Sequence, residues 1–150
     1  MGIAEEIKQT NFKSELSKAI VNIIYTNNWL TQKQIDVFKP YGLTTPQFNI
    51  LRILRGQHPE PATVNLLIER MLDKSSNASR IVDKLESKGL VARKQCKEDR
   101  RAVDVLITDK ALAMLHEIDE KMANWESQFS NLSQEEYVQL NSILDKFREI

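Results

Sequence analysis

The sequence is short of several things. It has one cysteine, four glycines and four prolines in 150 residues. One cysteine cannot close an internal disulfide, so a reducing cytoplasm is the expected setting. The opening segment, MGIAEEIKQTNFKSEL, lacks the apolar core of a signal peptide. The longest apolar stretch, residues 20–25, is broken by Asn22 and is far too short to span a membrane. There is no Gly-rich phosphate loop, no nucleophile elbow and no histidine-pair motif, so nothing points to an enzyme. His58, His116 and Cys96 match no metal spacing, and neither a metal nor another cofactor is expected.

Net charge is also missing, with 21 basic residues against 21 acidic ones. Taken alone, that neutrality argues against a nucleic-acid partner. The distribution argues the other way. Residues 43–108 hold 12 Lys/Arg against 8 Asp/Glu, a net +4, and the two flanks carry the compensating −4. A surface facing phosphates would use that middle. The composition, 41% hydrophobic and 28% charged, is that of an ordinary folded, helix-rich chain.

Apolar spacing predicts a long amphipathic helix over 10–38, ended by Pro40 and Gly42. A second helix restarts at "LTTPQFNILRIL", with Thr45 as N-cap and Pro46 at the first helical position. "GQHPEPA" breaks it. A short apolar helix is expected over 63–72 and another over 73–89. In the latter, Ala78, Ile81, Val82 and Leu85 form the buried stripe and Gly89 the stop. Residues 90–95 and 102–108 alternate about a charged turn and predict a β-hairpin. A long helix over 109–130 follows. A last one is opened by a Ser133–Glu136 capping box. The expected fold is mainly α with a small hairpin. A lobe at 43–108 lies between helical segments 1–42 and 109–150.

Two short, tightly joined helices, the second opening on small polar residues, describe a helix-turn-helix. Such a second helix enters the DNA major groove by its N-terminal end. Ser75, Ser76, Asn77, Ser79, Arg80 and Lys84 fit a groove-facing role, and Asn77 and Arg80 have the chemistry to reach adenine and guanine edges. A surface helix with good capping residues would look the same. The hairpin tips the balance. A basic turn directly after that helix makes a wing suited to the minor groove, carried here by Lys97, Asp99, Arg100 and Arg101. Asp99 would pair with a neighbouring guanidinium and fix its direction.

The run "SSNASRIVDKLESKGLVARKQCKEDRRAVDVLIT" resembles the signature of MarR-family transcriptional regulators. The matching positions are Leu85, Glu86, Gly89, Leu90, Val91 and Arg93, then Asp99, Arg100 and Arg101, then Ile107 and Thr108. The resemblance implies a winged helix-turn-helix homodimer whose terminal helices interlock. It implies a repressor acting on double-stranded DNA at a pseudo-palindromic operator, relieved by a small aromatic effector. Tyr25 and Trp29 are candidate effector-binding residues of the first helix, although core or dimer packing is their default. Asp99 and Arg101 become the orienting pair. The family pattern favours Arg101 over Arg100 for the groove. Ala111 stands where a glycine is common, and Lys97 where a proline often opens the turn. Some relatives sense oxidants through a first-helix cysteine. Here Cys96 sits at the wing edge, and an inert strand-end thiol is expected. The alternative reading is a winged-helix protein-interaction module without DNA binding.

Overall fold

A computed structural model describes residues 1–149. The helices are α1 (Ile3–Glu6), α2 (Glu15–Phe38), α3 (Thr45–Gln57), α4 (Val64–Arg70), α5 (Ala78–Ser87), α6 (Asp109–Glu126) and α7 (Gln134–Phe147). The strands are β1 (Ala62–Thr63), β2 (Val91–Gln95) and β3 (Val103–Ile107). They form one antiparallel sheet in the order β1-β3-β2. The chain divides into two compact units, Met1–His116 and the segment from Glu117 onward. No described helix is long and apolar enough to cross a membrane.

Local chemistry sets the helix ends, and it moves several of the expected boundaries. The first long helix starts at Glu15 rather than residue 10, because Ser14 is extended and its Oγ accepts the Ser17 N–H at 3.1 Å. The helix cap at the next segment is Thr44, not Thr45. Thr44 Oγ1 accepts the Gln47 N–H, and Gln47 Oε1 accepts the Thr44 N–H. Thr63 caps α4 through the Leu66 N–H, which shortens the expected 63–72 helix to Val64–Arg70. Asn77 caps α5, so the expected 73–89 helix keeps only Ala78–Ser87. The long helix expected over 109–130 ends at Glu126. Ser133 and Glu136 form the anticipated capping box on α7.

The first unit is built around α3. Phe48 stacks on Phe38 with ring centroids 4.1 Å apart, and Ile50, Leu51 and Leu54 are buried beside them. Ala78, Val82 and Leu85 bury one face of α5, while Ile81 is half-buried. Burying each such side chain stabilises by roughly 1.5–3 kcal/mol. Gly89 has φ +70°, where a Cβ is strained, so it turns the chain from α5 into β2. Thr108 then closes the hairpin. Its N–H donates to Leu90 O at 3.1 Å and its hydroxyl to Gly89 O at 2.8 Å. β1 was not anticipated. It adds two pairs, Ala62↔Val105 and Thr63↔Asp104, to the far edge of β3. In the second unit, Trp125 packs edge-on against Phe129 at 4.7 Å, and the Tyr137 hydroxyl donates to Phe129 O.

Candidate nucleic-acid interface

The residues before α5 form a tight turn organised by Asp73. Its carboxylate accepts the Ser75 N–H (2.9 Å), the Ser75 hydroxyl (2.6 Å) and the Ser76 hydroxyl (2.7 Å). These bonds, the Ser75 hydroxyl first, hold the Asp73 carboxyl below its ordinary range. They also change what the serines offer. Both hydroxyl protons are given to Asp73, so neither is available to donate to a phosphate. Asn77 Oδ1 accepts the Arg80 N–H at 3.0 Å. That leaves the Asn77 amide as a donor through its NH2, where two-point recognition of adenine would use the oxygen as well.

A hollow of about 290 Å³ runs along this face. Ser76, Asn77, Arg80, Ile81 and Lys84 line one side, and Thr44, Pro46 and Gln47, from the start of α3, line the other. Arg80 and Lys84 are exposed there. The structure thus brings together four of the expected groove residues. Ser75 and Ser79, exposed nearby, do not line this hollow. The α3 contribution was not anticipated. Gln47, a buried polar residue, also accepts from Lys88 Nζ at 3.0 Å, and Lys88 Nζ bonds Gly42 O as well. The end of α5 is thereby tied to the start of α3.

The wing is β2 and β3 paired from Val91↔Ile107 to Gln95↔Val103. Its tip is held by backbone. Cys96 N–H donates to Ala102 O (3.1 Å) and Ala102 N–H to Asp99 O (3.0 Å). The Asp99 carboxylate accepts the Arg101 backbone N–H at 2.8 Å. The expected partner of Asp99 was a guanidinium; among the described residues no ion pair joins it to Arg100 or Arg101. An aspartate two residues before its donor makes an Asx-turn, a bond available whatever the next side chain is. Lys97, Arg100 and Arg101 are all exposed. Asp99 and Arg101 also line a hollow of about 350 Å³ with Thr63, Val64 and Asn65.

Arg93 is the residue that sequence reasoning left without a role. Its guanidinium lies 2.5 Å from Asp83 Oδ1 and 3.5 Å from Glu86 Oε2, and donates to Ser79 O at 3.3 Å. The signal was present in the spacing. Ser79, Asp83 and Glu86 fall at i, i+4 and i+7, one stripe of α5.

The candidate effector residues fall elsewhere. The Tyr25 hydroxyl donates to Glu6 Oε2 at 2.8 Å, a bond that raises the Tyr25 pKa. Trp29 is 44% exposed. Neither lines the apolar hollow of about 470 Å³ bounded by Thr31, Ile35, Lys39, Leu43, Thr45 and Pro46. Thr45 Oγ1 is buried at its edge with no hydrogen-bond partner.

The MarR-family model matches residues 43–103, which span α3, α4, α5, β2 and the turn that leads into β3. Over 142 residues the chain is 30% identical to the HTH-type transcriptional regulator MgrA of Staphylococcus aureus, covering 92% of this chain and 90% of that protein. A MarR transcription factor from Planctomyces limnophilus is 28% identical with a TM-score of 0.68, covering 90% of this chain and 98% of that one. An organohalide-sensing regulator in its 2,4-dichlorophenol-bound form superposes with a TM-score of 0.81 at 21% identity, covering 93% and 85%, a likeness of fold. The chain belongs to the MarR family: it is a winged helix-turn-helix DNA-binding transcriptional regulator and not an enzyme.

Proposed function

We propose that the protein acts in the cytoplasm as a homodimeric repressor of a pseudo-palindromic operator and is released by a small aromatic compound. The carrying observation is that Arg80 and Lys84 on α5 and Lys97, Arg100 and Arg101 on the wing are all exposed, within a segment of net charge +4. In this reading 43–108 is the reading lobe, with Ser75, Ser76, Asn77 and Ser79 fitted to the groove as backbone and capping groups. Segments 1–42 and 109–150 supply the dimer contact. Leu16, Ile20 and Ile24 on α2, and Val138, Ile143 and Phe147 on α7, are each more than 40% exposed. These exposed apolar side chains are the candidates for that partner surface. The effector would enter the hollow lined by Thr31, Ile35 and Lys39, where an apolar ring has room and an ammonium is at hand. A relative of the same fold is known in a dichlorophenol-bound form.

Selection from random DNA duplexes, followed by light scattering of the bound species, tests this reading. One enriched, two-fold symmetric sequence bound by two chains is the expected outcome, with half-sites about one helical turn apart. A monomer with no enriched sequence would leave the winged-helix protein-interaction module as the better account.

A further inference from the structure

We infer that Arg93 is a positioning residue that sets the aim of the wing. The inference rests on the wing acting as a minor-groove probe. Arg93 sits in the middle of β2, paired with Val105 of β3, and shares its strand face with the buried Val91. That parity turns its side chain back toward α5. There it meets three acceptors on one helical stripe: Ser79 O, Asp83 Oδ1 and Glu86 Oε2.

Geometry makes the bracket specific. A planar guanidinium has donors on several edges and can bind three acceptors at once; an ammonium is a point charge. The side chain of Arg93 is 30% exposed, against 60% for Asp83 and 44% for Glu86. Single exposed ion pairs stabilise little, so the bracket's value lies in orientation rather than in folding free energy. It fixes β2 against α5, and β2 carries the wing tip. The distance between major-groove and minor-groove contacts is then set on the protein side, before DNA binds. Asp99, by contrast, orders only the tip itself.

The bracket has an electrostatic role as well. Asp83 and Glu86 lie on the DNA-reading helix, where bare carboxylates would face phosphates. Arg93, shared between them, offsets one of the two negative charges. Two variants separate charge from aim. R93A removes the bracket and leaves the two acids bare. D83N/E86Q removes the bracket's charged acceptors and leaves no bare acid on the stripe.

The test uses the full chain on a duplex selected in vitro by the wild-type protein. Failure of that selection would remove the operator reading on which this inference rests; the protection pattern tests the inference itself. Both variants are expected to keep guanine N7 protection in the major groove and to lose hydroxyl-radical protection in the flanking minor groove. Melting curves should match wild type. R93A should bind about tenfold more weakly. R93K should recover only part of the protection, because one ammonium cannot hold three acceptors. Full minor-groove protection in either variant would overturn the inference. So would equal loss in both grooves by D83N/E86Q with an unchanged melting curve.

Discussion

The turn before α5 and the tip of the wing use the same device to different ends. In each, an aspartate accepts the backbone N–H two residues on: Asp73 from Ser75 at 2.9 Å, Asp99 from Arg101 at 2.8 Å. In the first turn the carboxylate also takes both serine hydroxyls. In the second it takes none of the neighbouring side chains, and Arg100 and Arg101 stay exposed. One aspartate consumes polar groups to build a helix entrance. The other shapes backbone and leaves its cations free. The contrast separates the residues that build the surface from those that touch DNA.

Arg101→Ala and Ser75→Ala form the sharpest pair. Arg101→Ala should weaken operator binding by roughly 1–3 kcal/mol in fluorescence anisotropy, with thermal unfolding unchanged. Ser75→Ala should change affinity by less than about 0.5 kcal/mol, because the Ser75 hydroxyl is donated to Asp73 and not to DNA. Equal losses would erase the distinction between the two turns. Asp99→Ala comes next. It frees one N–H and loosens the tip, and should weaken binding by about 1 kcal/mol. If it matched Arg101→Ala, the aspartate would be doing more than shaping backbone.

A smaller effect distinguishes the turns by pH. The Asp73 carboxyl lies below its ordinary value because of its serine bonds. A depressed folded value adds stability above the unfolded value and loses it as pH falls through the folded one. NMR amide signals of Ser75 and Ser76 should therefore hold while ordinary aspartates protonate, and shift only below that range. Loss of those signals with the bulk carboxylates would show that Asp73 is not held. The smallest effect concerns the joint between the two regions. Gly89→Ala places a Cβ at φ +70° and should cost about 1 kcal/mol in denaturant unfolding.

Much of this was legible in the sequence, for identifiable reasons. The Ala78–Val82–Leu85 stripe, the Gly89 stop, the hairpin and the Ser133 capping box are local signals, and each stands where spacing placed it. The errors fall where two local solutions compete. Thr44 and Thr45 are equal candidates for a cap, and Pro46 is tolerated after either. Apolar Phe12 falls in step with the spacing of the first long helix, but Ser14 caps it and the helix begins at Glu15. β1 is only two residues long, so it has no alternation to show. The Asp99 bond and the Arg93 bracket depend on where backbone and neighbouring elements sit. Residue types name the partners available, and only the fold chooses among them.

The most direct test of the account is the salt dependence of operator binding by wild type and Arg101→Ala from about 50 to 200 mM salt. Wild type should lose affinity steeply. The variant should bind more weakly throughout, with a slope shallower by about one, for the groove or phosphate charge removed. Coincident lines would contradict it, and would take the wing arginine out of DNA recognition.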